Sequence, residues 1–136
     1  MANTTTDQGV TVPFIVRLET GYQDRDQYQI AVLYQPSQPW SAAQPQPQFN
    51  HKMLVTHGVA CGVAYRTGAA PDVTDSNALG AGFAVMSTAL DFSGHNCNVA
   101  LQAESLIMAK EFFNDPATTE IYTIGAGCSG GSLAIQ

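Results

Sequence analysis

Charge is the scarcest ingredient of this chain. Only 12% of its 136 residues are charged, about half the usual share of a globular protein. Lysine and arginine together number 5 against 11 acidic residues, for a net charge of −6. That balance argues against nucleic acid or an anionic membrane surface as a partner, because either would need a basic patch. Long apolar runs are missing as well. None approaches the ~18 residues needed to span a bilayer. The first nine residues are polar and lack the charged-then-apolar plan of a signal peptide. Cysteine is sparse: Cys61, Cys97 and Cys128 are too few for a disulfide scaffold and follow no zinc spacing. No metal or other cofactor is expected. Two readings of the cysteines stay open: three small buried hydrophobes, or a single Cys61–Cys97 bridge. Low lysine, abundant Gln, Asn and Thr, and that possible bridge point to an exported protein, secreted or periplasmic, with the cytoplasm as the alternative.

Apolar residues, at 45%, are ample for a globular core. Residues 1–9 read as a frayed, disordered tail, and residues 10–136 as part of one domain. Val10 to Leu18 alternates and contains Pro13, which suits an edge strand. After the turn-rich stretch Gly21 to Asp26, Gln27 to Tyr34 alternates again, so the two runs form a hairpin. Residues 36–49 carry four prolines among Gln and Ser and read as an extended connection rather than a polyproline ligand site. Lys52 to Thr56 and Gly82 to Ala89 are short apolar runs fit for buried strands. Asn98 to Phe113 has helical spacing, with Val99, Ala103, Leu106, Ala109 and Phe113 on one stripe and Gln102, Ser105, Lys110 and Glu111 on others. Asn98 is its N-cap, and Asn114-Asp115-Pro116 ends it. Glu120 to Ile124 is a further β-rich run. Strands separated by a crossover helix imply an α/β fold in which an N-terminal antiparallel hairpin leads into a mostly parallel sheet.

The last strand runs into Gly127-Cys128-Ser129-Gly130-Gly131, a G-x-S-x-G pattern followed by the start of a helix. This is the pattern of a nucleophile elbow. There a strand turns so sharply into a helix that glycines are needed two residues before and two after the nucleophile. The serine hydroxyl then stands clear of the sheet, above a helix N-terminus that supplies free N–H groups. One oxyanion donor comes from the residue after the nucleophile, here Gly130. The second comes from a loop after an earlier strand. The strand Lys52–Thr56 is followed by His57-Gly58-Val59, so the N–H of Val59 or of a neighbour is the second donor. His57 and Gly58 then support the loop.

Gly125-x-Gly127-x-x-Gly130 also fits the dinucleotide-binding fingerprint. That fingerprint normally opens a domain at its first strand, whereas here several strands come earlier. It also leaves Gly131 and the His57-Gly58 turn unexplained. A glycine-rich βα turn without chemistry is the third possibility. The elbow is preferred over both. The acid and the histidine of a triad would follow the nucleophile in chain order, yet no acidic residue or histidine follows Ser129. Asp91 reads as a turn residue, His95 as a loop histidine, and Cys128 as a residue packed beneath the elbow.

Residues 50–136 resemble a group of bacterial, often exported α/β-hydrolases related to tannase-like and polyhydroxyalkanoate-depolymerase-like serine esterases. The residues that carry the likeness are His57-Gly58 with Cys61-Gly62, the run Gly82 to Thr88, Asn96-Cys97-Asn98, Ala103-Glu104, and Tyr122 to Gly125 leading into Cys128-Ser129-Gly130-Gly131-Ser132. The resemblance implies a partial α/β-hydrolase fold truncated after the nucleophile elbow. It also implies a Cys61–Cys97 disulfide and a small-molecule or polymeric ester as substrate. The family's acid, base and lid would have to come from a missing C-terminal segment or a second chain, so the chain alone is expected to be inactive.

Overall fold

A computed structural model describes residues 1–58, 68–91, 97–113, 121–128 and 131–135. Seven strands form two sheets. Strand β1 (Asn3–Thr5) pairs antiparallel with β2 (Thr11–Pro13) in a small ribbon. The main sheet holds β3 (Val16–Gln23), β4 (Asp26–Leu33), β5 (Lys52–Thr56), β6 (Ala84–Thr88) and β7 (Tyr122–Ala126), in the order β3-β4-β6-β5-β7. The β3–β4 and β4–β6 pairs are antiparallel, whereas β5 runs parallel to both β6 and β7. The mixed sheet expected from the order of runs is therefore present, with an antiparallel hairpin feeding a parallel half.

Two N-terminal expectations need correction. The polar residues 1–9, read as frayed, contain β1 and are tied to the body of the protein. Thr4 Oγ1 donates to Gly80 O at 2.9 Å, and Lys52 Nζ meets Asp7 Oδ2 at 2.6 Å. The hairpin also turns later than its composition suggested. Gly21, Tyr22 and Gln23 belong to β3, and the reversal takes only Asp24 and Arg25, both at positive φ (46° and 70°). That backbone suits the right-handed twist of a two-residue hairpin loop. Gly21 lies opposite Tyr28, whose ring would stand 2.5 Å from a Cβ at position 21. This glycine is therefore a site where a cross-strand aromatic covers the backbone, and it is not a turn residue.

The sheet is covered on both faces, as a parallel sheet requires. Helix α1 (Ser76–Gly80) and the segment before it cover one face, where Val73 and Leu79 meet Ala31 and Val85. Helix α2 (Val99–Phe113) covers the other, where Ala109 and Phe113 meet Ile30, Val32, Met53, Val55 and Met86. Successive residues of β5 and β6 alternate between these two clusters. Phe49 and Trp40 close the second cluster, their rings 6.0 Å apart and each packed on Phe113. The proline-rich connection makes only an isolated Ser41–Gln44 bridge. Two buried glutamines anchor it: Gln48 Nε2 donates to Leu33 O at 3.1 Å, and Gln46 Nε2 donates to Gln35 O at 3.0 Å.

Helix α2 starts where expected, with Asn98 Oδ1 accepting from Ala100 N–H at 3.0 Å. Its buried face is rotated from the expected stripe. Val99 is 61% exposed and Ala103 is exposed, while Ser105 is buried and its C=O accepts from Gln23 Nε2 at 2.7 Å. Apolar residues occur around most of this helix, with Ile107 and Phe112 also exposed. Periodicity therefore could not single out one face.

Candidate active site

The three parallel strands end at one edge of the sheet. The chain leaves β5 toward β6 on one side and later returns to place β7 on the other. A sheet of this kind forms its crevice where the connections diverge, outside the carboxyl ends of the strands. Three segments meet there. They are His57-Gly58 after β5, the short 3-10 turn Ala89–Asp91 after β6, and Gly127-Cys128 after β7 together with the start of α3 (Gly131–Ala134).

Backbone hydrogen bonds bind the three together. His57 N–H donates to Ala126 O at 2.9 Å, and Gly58 N–H donates to Asp91 O at 2.8 Å. Gly131 N–H donates to Cys128 O at 3.0 Å and closes the approach to α3. The glycines explain how the segments come so close. A Cβ at Gly127 would lie 2.9 Å from the Gly131 backbone and 2.9 Å from His57 Cβ. A Cβ at Gly131 would overlap the carbonyl oxygen of Gly58. Strand, helix start and the His57-Gly58 turn thus interlock through positions that accept no side chain.

His57 lies with its side chain 5% exposed, and its Nδ1 is 2.5 Å from Asp91 Oδ2, whose side chain is fully buried. The two groups meet as a close buried approach: neither His57 Nδ1 nor either Asp91 oxygen has a partner of hydrogen-bond geometry among the described residues. The ring's other nitrogen packs over Gly125, where a Cβ would come within 3.0 Å of Nε2. A cavity of about 320 Å³ opens beside it on the α2 side of the sheet, lined by Val55, His57, Met86, Leu106, Thr123 and Gly125 among others.

The structure brings together His57, Gly58, Gly127 and Gly131 from the sequence-based set. Ser129, Gly130, Val59 and Cys61 lie outside the described residues, as does His95. Cys97 is disulfide-bonded, just before the N-cap of α2. Cys128 is a free, exposed thiol and is not packed under the elbow. Strand β7 lies at the sheet edge, so the residue that leaves it is not covered. Asp91 is the residue that sequence reasoning missed. Its position directly after a wholly buried strand was a weak sign, because few polar residues there are left to solvent. Nothing along the chain tied it to His57.

Among the described residues no group of three or more His, Cys, Asp or Glu side chains could hold a metal ion, and no helix is long and apolar enough to cross a membrane. The profile of the tannase-like family of unknown function (DUF6351) matches residues 1–136. The chain belongs to this family. Membership places it with proteins of a hydrolase-related kind and agrees with the tannase-like resemblance of residues 50–136. Comparison with curated proteins and with solved structures gave no match.

Proposed function

We propose that the chain is the nucleophile-bearing part of a serine ester hydrolase of the α/β-hydrolase type. The observation that carries the reading is the interlock of Gly127 and Gly131 with each other and with His57-Gly58. An elbow needs side-chain-free backbone on either side of its nucleophile, and Ser129 is the residue between. In the reaction Ser129 Oγ attacks the ester carbonyl and passes its proton to a general base. The N–H groups of Gly130 and Val59 hold the oxyanion. Collapse of the tetrahedral intermediate expels the alcohol, which takes up the proton, and water then releases the acid from the acyl-serine.

The base and its acid come from a further segment or a second chain. The outer edge of β7 is unpaired among the described strands, with Tyr122 65% and Ile124 48% exposed. An apolar strand edge of this kind is suited to receive another strand. The disulfide of Cys97 supports an oxidising compartment, secreted or periplasmic, and Cys61 is the proposed partner.

One observation favours a second reading, in which the His57–Asp91 pair itself activates Ser129. The ring's free nitrogen points against it, because Nε2 is packed over Gly125 within the sheet. A dinucleotide site at Gly125-x-Gly127-x-x-Gly130 has less support, since His57 lies against both Gly125 and Gly127.

A fluorophosphonate probe tests all three, with mass spectrometry of the Ser129 peptide. Labelling is expected in the full gene product and not in residues 1–136 alone. Equal labelling of residues 1–136 would favour the His57–Asp91 base. No labelling of the full product at Ser129 would sink the hydrolase.

A further inference from the structure

We propose that Asp91 is a positioning residue for the reaction, acting through His57 on the turn that follows β5. The inference rests on the serine-hydrolase reading and assigns a role that neither the G-x-S-x-G pattern nor family membership contains.

Four contacts carry it. Asp91 holds Gly58 by its backbone, accepting the Gly58 N–H at 2.8 Å, and holds His57 by its side chain, with Oδ2 2.5 Å from Nδ1. His57 N–H in turn donates to Ala126 O at the end of β7. The carbonyl of Gly58 faces the position that a Cβ of Gly131 would occupy. Asp91 therefore touches this turn twice, at the Gly58 N–H and at the His57 side chain, and the Gly58 carbonyl abuts the start of α3.

The chemistry of Asp91 fits this role better than plain packing. Its carboxylate is fully buried against His57, and neither of its oxygens has a partner of hydrogen-bond geometry among the described residues. A buried charge left so poorly solvated works against stability, and an apolar residue or a neutral amide would pack there at less cost. What a carboxylate adds is an acceptor beside Nδ1, which favours the proton on that nitrogen and one ring orientation. The His57 ring lies against the would-be Cβ of Gly125, while its Cβ lies against those of Gly127 and Gly131. A flip or tilt of that ring would press on Gly125, two residues before Gly127 at the end of β7. Displacement by about 1 Å of a group that positions reacting atoms can cost on the order of 100-fold in rate.

The test uses the full gene product with Asp91→Asn and Asp91→Ala, read by ester hydrolysis and by proton NMR of the imidazole N–H. Wild type should show a far-downfield, slowly exchanging Nδ1–H resonance that is absent from His57→Gln. Asp91→Ala should lose this resonance and lower kcat by about 10- to 100-fold with KM within about twofold. Asp91→Asn keeps the shape and an acceptor oxygen. It should retain a shifted resonance and recover part of the rate. A purely structural role would lower the melting temperature and the active fraction, leaving kcat per labelled Ser129 unchanged, and that result overturns the proposal. If Asp91→Ala fails to fold, Asp91→Asn decides, and a wild-type kcat in that variant overturns it. A wild-type enzyme that fails to label at Ser129 removes the hydrolase reading and this role with it. A wild type that labels, beside an Asp91→Ala variant of equal kcat, removes the role alone.

Discussion

Gly131→Ala should be among the most damaging single-methyl additions to this chain. The added Cβ would overlap the Gly58 carbonyl oxygen and lie 3.0 Å from the carbonyl carbon and 3.3 Å from His57 Cβ. The first two obstacles are backbone atoms, so no side-chain rotation relieves them. Restoring ordinary contact means parting α3 from the β5 turn by roughly 1.5 Å, in a region packed at solid-like density. The His57–Ala126 and Gly58–Asp91 hydrogen bonds resist that movement. Overpacking of this severity costs about 3 kcal/mol, which for a domain of this size is a fall of about 10 °C in melting temperature. Gly9→Ala is the control. Gly9 has φ of 80° but nothing within 4 Å of its would-be Cβ, so it carries the left-handed backbone penalty of about 1 kcal/mol without a clash. Calorimetry or circular dichroism on the two variants separates the effects. A Gly131→Ala protein that melts with Gly9→Ala would refute the interlock. In the full gene product the same substitution should also abolish phosphonate labelling of Ser129.

Two further perturbations follow from the buried His57–Asp91 contact and the Lys52–Asp7 ion pair. His57→Ala leaves the Asp91 carboxylate buried without its partner and should cost about 3–5 kcal/mol, while the double variant His57→Ala/Asp91→Ala should cost less than His57→Ala alone. Urea titration of the cycle measures the coupling, and a double variant less stable than His57→Ala would contradict the orphaned-charge account. The Asp7 carboxyl sits below its ordinary value of 3.8, chiefly because the Lys52 ammonium donates to it. A folded-state value below the unfolded one means that the stabilisation is present above the ordinary carboxylate range and is lost as pH falls through the lowered value. Lys52→Met should therefore be less stable than wild type at neutral pH, by a small margin because both groups are about one-third exposed. The gap should close below about pH 4. A gap that stays constant from pH 7 to pH 3 would rule out the ion pair as its source.

Much of the parallel half was legible from sequence because its determinants are local. Lys52–Thr56 is a strand because a short apolar run stops at a glycine-containing turn. Asn98 caps a helix because its side chain reaches N–H groups within the next turn, whatever lies elsewhere. Gly127 and Gly131 mark a place where strand and helix crowd, and that steric demand is written two residues either side of Ser129. The N-terminal ribbon was not legible in polar residues 1–9, because its anchors, Gly80 and Lys52, lie far along the chain. The rotation of α2 was also hidden, since a helix apolar on several sides takes its buried face from the sheet beneath it.

By itself the sequence determined the kinds of element and the position of the proposed nucleophile, both consequences of spacing within a few residues. Tertiary structure alone decided that β5 lies between β6 and β7, and with it which loops meet. Only that placement makes Asp91, itself a turn residue as expected, a buried neighbour of His57. It also leaves Cys128 exposed at the sheet edge and presses Gly58 against Gly131. Such contacts join segments from separate strands, and no local pattern encodes which strands become neighbours.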